Sequence, residues 1–315
     1  MPTEAKPPRA PGPTVGAPRA AAKARKAAPA PERLRVRKTY KLYIGGAFPR
    51  SESARSYPVS GSDGTLLANA AQASRKDVRD AVVAARKAAR GWAGATAYNR
   101  GQILYRIAEM LEGRRDQFVA EVSAAEGIDG GAALSTVDAA IDRWVWYAGW
   151  SDKYAQVVGS SNPVSGPYFN FSLPEPTGVV GVLAPQDSSL LGLVSVLAPV
   201  IATGSTTVVV ASEQRPLPAV SLAEVLATSD LPGGVVNLLT GRTAELAPWL
   251  ASHRDVNAID LTGADPAART ALQQAAADNV KRVYVPSEVD WQADPGTSRL
   301  AAFVETKTVW HPIGV

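Results

Sequence analysis

Apolar and polar positions along the chain fall into two regimes. The first begins where Tyr40-Lys-Leu-Tyr-Ile44 alternates polar and apolar before Gly45-Gly46, which predicts a strand running into a tight turn. Pro58–Ala71 predicts a second strand region around the turn residues Gly61, Ser62, Asp63 and Gly64. Helical spacing then takes over. Val78, Ala81, Val82, Ala85, Ala88 and Ala89 predict a helix over 74–93. Ile103, Ile107, Met110 and Leu111 predict another over 97–114, a third follows over 115–125, and 132–156 predicts a longer helix carrying Trp144, Trp146, Tyr147 and Trp150.

The second regime begins at Thr177. Thr177-Gly-Val-Val-Gly-Val-Leu-Ala-Pro185 is an unbroken apolar run, the pattern of a strand buried on both faces of a parallel sheet. It is followed by a helix (190–202), a strand (Thr206–Val210), a helix (217–228), a strand (Val235–Leu239), a helix (244–252) and a strand (Ala258–Leu261). A further helix over 266–279 and a strand-like Val280–Val285 come next. Strand–helix alternation of this kind implies βαβ units with right-handed crossovers. The predicted class is α/β, a Rossmann-like parallel sheet flanked by helices.

Composition changes the picture in two places. Of 315 residues 46% are hydrophobic, enough for a sizeable core, but there is no cysteine and only two histidines, His253 and His311. Disulfides, zinc–thiolate sites, iron–sulfur clusters and cysteine nucleophiles are therefore excluded, and no metal site is expected. The net charge of +4 is unevenly spread. Residues 1–38 hold ten basic and two acidic side chains, or +8, while the remainder holds 23 basic and 27 acidic groups, or −4. The Pro- and Ala-rich segment 1–38 is expected to be a disordered basic arm, because it has too little apolar surface to offset its ordering entropy. A solvated tail, a docking peptide and a nucleic-acid or membrane contact are its competing readings. Nucleic acid ranks last, since the arm has no aromatic residue for stacking and the body is acidic. The arm lacks a hydrophobic signal-peptide core, and the longest apolar stretch, Leu190–Gly204, is too short to span a bilayer, so no membrane association is expected and a cytoplasmic location is.

The order of several landmarks resembles the aldehyde dehydrogenase superfamily. Glu175-Pro-Thr-Gly-Val-Val-Gly-Val-Leu-Ala-Pro185 is similar to the family's strand leading into its Pro-Trp-Asn loop. Leu197-Ala-Pro-Val-Ile-Ala-Thr-Gly-Ser-Thr206, Ser212-Glu-Gln-Arg-Pro-Leu217, Leu231-Pro-Gly-Gly-Val-Val-Asn237, Thr240-Gly241 and Leu261-Thr-Gly263 resemble further family segments in the same order. The opening Tyr43-Ile-Gly-Gly46 and Tyr147-Ala-Gly-Trp-Ser-Asp-Lys153 also fit. The resemblance covers residues 40–265 and implies the family's cofactor-type domain, with Pro185, Glu213 and Gly263 at vestigial cofactor-binding positions.

The departures are equally specific. The loop reads Pro185-Gln186-Asp187, which places a carboxylate where the family's Asn helps hold the developing oxyanion. The family's ribose-binding Lys is replaced by Val210, while its Glu survives as Glu213. Ala264, Asp265, Pro266 and Ala268 stand where the family has Ser and Gly residues near the cofactor phosphates, and Asp265 would repel a pyrophosphate. The Glu-Leu-Gly-Gly-Lys motif carrying the family's general base has no counterpart, Glu288 being the nearest acid, and the cysteine nucleophile is missing. No catalytic residue is assigned, and no cofactor is expected, NAD or NADP remaining the alternative. Tyr168-Phe-Asn-Phe-Ser-Leu173 and Val304-Glu-Thr-Lys-Thr-Val-Trp310 resemble the strands of the family's β oligomerisation arm.

The expected layout is thus an arm over 1–38, a cofactor-type domain over 39–285 with a hairpin at about 157–175, and a linker plus oligomerisation strand over 286–315. The expected function is that of an inactive homologue assembling with a full-length aldehyde dehydrogenase through Tyr168–Leu173 and Val304–Trp310. The alternative is an NAD(P)-binding protein of the oxidoreductase family with residual cofactor binding. Which of these holds leaves open whether the chain is an enzyme.

Overall fold

The computed structural model describes residues 1–6, 8–12, 36–286 and 289–314. The chain divides between Val36 and Arg37. The described residues of the first unit are exposed and contain no helix or strand, and the expectation of disorder over 13–35 lies outside the described residues. The second unit, Arg37–Val315, carries the fold.

It opens with β1 (Thr39–Tyr40), β2 (Ser56–Ser60) and β3 (Leu66–Ala71), a small sheet of order β1-β3-β2. Helices α1 (Arg75–Gly94), α2 (Ala97–Glu112), α3 (Arg115–Glu126), α4 (Gly130–Trp150) and α5 (Tyr154–Val158) follow, then β4 (Ser160–Asn162) and β5 (Tyr168–Pro176). The α/β core comprises β6 (Val179–Leu183), α6 (Leu191–Ala202), β7 (Thr206–Val210), α7 (Leu217–Ala227), β8 (Val236–Leu239), α8 (Thr243–Ser252), β9 (Ala258–Asp260), a 3-10 turn at Pro266–Ala268, α9 (Arg269–Ala277) and β10 (Arg282–Tyr284). A short α10 (Ser298–Ala302) and the long β11 (Val304–Pro312) complete it. Among the described residues no helix is long and apolar enough to cross a membrane.

The central sheet has the order β10-β9-β6-β7-β8 and is parallel throughout. Every residue of β6, β7 and β8 is buried, because helices cover both faces of a parallel sheet. One face packs against α2, α4, α6 and α7 around Trp144, Tyr147 and Phe118; the other packs against α1, α8 and α9 around Val82, Leu250 and Leu272. Helix α1 starts where Ser74 and Asp77 form a reciprocal capping box, and Val78, Ala81, Val82 and Ala85 give it its buried stripe.

Two elements differ from expectation. The alternating segment 40–44 is no continuous strand. Only Thr39–Tyr40 pairs with β3, while Tyr43 exchanges backbone hydrogen bonds with Leu238 and covers the outer edge of β8. The return at Gly46, with φ +85°, lies against Gly233, where a Cβ would come within 2.9 Å of that residue's Cα. The helix expected over 132–156 breaks at Ser151. Its N–H bonds to the carbonyl of Ala148, three residues back, and its hydroxyl donates to that of Tyr147, so the chain tightens and leaves the helical path.

The third sheet has the order β11-β5-β4. β11 runs antiparallel to β5 in unbroken register from Val304 opposite Pro176 to Pro312 opposite Tyr168. β4 covers only Asn170–Ser172 on the far side. Among the described residues no strand pairs with the outer edge of β11. Tyr168, Phe169, Leu173 and Trp310 of this ribbon are exposed, Trp310 at 58%.

Candidate functional site

The carboxyl ends of β6, β7 and β9 meet helices α8 and α9 in a cleft of about 800 Å³. Ligand clefts of α/β sheets form at this end because the loops there are free to diverge. Pro185, Glu213 and Gly263, three loops apart in sequence, all line it, as do Asp187 and Asp265. Glu288, the acid nearest the missing general-base motif, lies outside the described residues.

Gly263 serves close packing. Its N–H donates to the carbonyl of Leu183 at 2.9 Å, and a Cβ there would fall 1.8 Å from the carbonyl oxygen of Ala184. The β9 loop can approach the β6 loop only without a side chain. Glu213 is already engaged: Oε1 accepts from Arg242 at 2.6 Å and Oε2 from the backbone N–H of Thr243 at 3.0 Å. The carboxylate thus fills a free amide at the N-terminus of α8. Gln186, at the Trp position of the family loop, is used at both ends of its amide. Its Nε2 donates to the carbonyl of Ala184 and its Oε1 accepts from the N–H of Glu213. Asp265 accepts from the N–H of Ala267 at 3.0 Å and caps the turn that opens α9.

These residues do not fit an NAD dinucleotide. A pyrophosphate needs free helix-terminal amides or cations. Here chain carboxylates occupy an amide at both helix starts bordering the cleft. The lining residues carry Asp187, Glu213 and Asp265 against one cation, Arg269, among those described. No group of three or more His, Cys, Asp or Glu among the described residues could hold a metal ion.

The segment after β10 makes one wall of the cleft with Val289 and Trp291. Two buried arginines hold it. Arg143 of α4 donates to Ser195 Oγ at 2.7 Å and to the carbonyls of Trp291 and Ala293 at 2.8 and 3.0 Å. Arg299 of α10 donates to Asp260 Oδ2 at 2.5 Å and to Thr262 Oγ1 at 3.2 Å; both charged side chains are almost inaccessible, at 6% and 0% exposure. The Arg299 guanidinium also lies 4.8 Å from the ring centre of Tyr284 and 5.8 Å from that of Trp291. Burial pushes the Asp260 carboxyl above its ordinary value, against the pull of Arg299 and of the Thr262 donors. Sequence reasoning did not find this cluster. Its one local signal was the acid in the middle of the apolar run Ala258-Ile-Asp-Leu261.

Comparison with known proteins bears on the cleft's origin. The aldehyde dehydrogenase family profile matches residues 49–287. Human mitochondrial aldehyde dehydrogenase is 32% identical over 281 residues, which is 86% of this chain and 53% of that protein. Mouse cytosolic 10-formyltetrahydrofolate dehydrogenase is 33% identical over 264 residues, 80% of this chain and 28% of that protein. The solved NAD+ complex of an aldehyde dehydrogenase from Bacillus cereus superposes with a TM-score of 0.74 at 27% identity, covering 78% of this chain and 50% of that one. The chain thus spans about half of these aldehyde dehydrogenases.

Proposed function

Starting from the fact that the chain belongs to the aldehyde dehydrogenase family, we propose that it is a catalytically inert member that assembles with a full-length one as a structural or regulatory subunit. The observation that carries the first half is the absence of cysteine from all 315 residues. Aldehyde oxidation in this family begins with attack of a thiolate on the carbonyl carbon, and without it no covalent adduct forms from which hydride can leave. Asp187 would oppose the oxyanion that such an adduct carries.

The β11–β5 ribbon supports the second half. It presents a nine-residue strand whose outer edge pairs with no strand among the described residues, and exposed aromatic side chains Tyr168, Phe169 and Trp310. A free edge of this length invites strand addition, and apolar side chains beside it give the added strand something to pack on. The assembly requires a sheet edge on the full-length member to receive it. We place this assembly in the cytoplasm.

Purified chain mixed with NAD+ or NADP+ and a panel of short aldehydes should give no reduced-cofactor absorbance above the blank. Turnover that survives removal of contaminating dehydrogenase by affinity repurification overturns the inert reading. The alternative, residual NAD(P) binding, draws on the cleft's volume and on Glu213 at its rim; calorimetric titration with each dinucleotide tests it.

A further inference from the structure

The outer edge of β11 carries an ordered set of unused backbone groups. Thr177 donates its N–H to the carbonyl of Phe303 at one end of the β5–β11 ladder, and Ile313 donates to that of Pro167 at the other. The register between these bonds is unbroken, so odd-numbered positions of β11 turn their amides toward β5 and even-numbered ones turn them outward. Thr306, Thr308 and Trp310 therefore hold N–H and C=O groups that meet no strand among the described residues. Natural edges are guarded by bulges, by proline or by unpaired charges. This one has no bulge, and its one proline, Pro312, stands at the end. Its charges are neutralised within the chain: Lys307 donates to Glu175 at 2.8 Å, and Glu305 accepts from Arg282 at 2.5 Å. Thr306, Thr308 and Val309 are strand formers.

We propose that this edge pairs with the same edge of a second copy of the chain, antiparallel about a two-fold axis through Thr308, which joins two ribbons into one sheet of order β4-β5-β11-β11-β5-β4. Outward amides must meet outward amides, so even positions pair with even ones. With the axis at Thr308 the whole strand overlaps. Trp310 then lies opposite Thr306 of the second copy, an aromatic–β-branched pair, and Glu305 lies opposite His311, with no like charges face to face. The neighbouring registers are worse. An axis at Lys307 sets lysine opposite lysine, and one at Val309 sets Lys307 opposite His311, both basic. An axis at Thr306 runs Trp310 past the strand to face Ala302 in α10 of the second copy. The pairing also covers the exposed Trp310, which stacks edge-on against Tyr168 with ring centres 5.7 Å apart. It goes beyond assembly with a full-length member and does not depend on it. Because both use one edge, the homodimer and that assembly exclude each other.

Sedimentation velocity on the full chain alone, with no full-length member present, tests the pairing. The unmodified chain should be dimeric at about 50 µM. Thr308 is exposed and its amide takes no part in the β5 ladder, so a charged residue there costs only the hydroxyl contact with Ser172. Thr308→Lys and Thr308→Glu each set like charges across the axis and should weaken the dimer about ten-fold or more. An equimolar mixture of the two variants sets opposite charges there and should recover affinity to within about three-fold of the unmodified chain. A chain still monomeric at about 100 µM overturns the proposal. So does a dimer that neither charge weakens, or a pair of weakened variants that the mixture does not rescue. A homodimer that forms no mixed complex overturns only the assembly reading, and a mixed complex from a chain that is monomeric alone overturns only this one.

Discussion

Replacing Arg299 with Met removes the only cation that Asp260 contacts at hydrogen-bond distance among the described residues. Asp260 has no exposure and Arg299 almost none, so water cannot substitute for the lost partner. Breaking a buried pair from one side costs about 3–5 kcal/mol. For a body of this size that corresponds to a fall of about 5–9 °C in melting temperature. Asp260 can respond by taking a proton, since burial already pushes its carboxyl upward. The deficit in the variant should therefore be smallest at acid pH and grow as pH rises, because the unfolded chain then releases this proton while the folded variant must keep it or leave a buried, unpaired charge. Urea unfolding followed by tryptophan fluorescence gives the loss. The double variant Asp260→Leu/Arg299→Met should recover most of it, with a coupling of about 2 kcal/mol or more, because an apolar pair has no charge to desolvate. A single-variant loss under about 1 kcal/mol, or a double variant that is simply additive, would refute the claim that this pair anchors the C-terminal segment.

Gly263→Ala should cost about 4 kcal/mol or more in urea unfolding, since its Cβ would lie 1.8 Å from the Ala184 carbonyl oxygen and backbone must move on both loops; near-wild-type stability would contradict the close approach. Burial raises the Glu121 carboxyl, opposed by donors from Gln117 and Ser221, and its Oε2 has no partner among the described residues; a raised acid stabilises the fold below the unfolded value and loses that contribution as pH climbs through the folded one. Glu121→Gln should therefore gain about 1 kcal/mol near pH 7 and little near pH 4 in paired thermal melts, and a constant difference across that range would count against it. Lys281 is pushed down to about 8 by burial, so its ammonium burdens the fold at pH 7 and stability should rise as pH climbs through the folded value toward the ordinary one; isotope-labelled dimethylation read by NMR should give a midpoint about 8, and an ordinary lysine titration would rule this out.

What the sequence made legible was whatever local pattern encodes. The strand β6 reads as an unbroken apolar run because both of its faces are covered, and α1 reads from its apolar stripe. The segment 40–44 misled because its alternation serves two partners, β3 and the edge of β8, and not one ladder. Pro185, Glu213 and Gly263 were brought together by family resemblance, yet their individual roles needed geometry. Gly263 is there for a backbone approach, and Glu213 is spoken for by Arg242 and Thr243. The Arg299–Asp260 and Arg143 anchors could not be read, because their partners lie 39 and 52 or more residues apart and no spacing rule connects them.

The central claim is assembly with a full-length family member through the β11–β5 ribbon. Native mass spectrometry of this chain co-expressed with a full-length aldehyde dehydrogenase from the same source measures it directly. The account predicts a complex containing both chains in fixed ratio, lost when residues 304–312 are deleted while the remaining body still folds. Two separate species, each composed of one chain only, would contradict it.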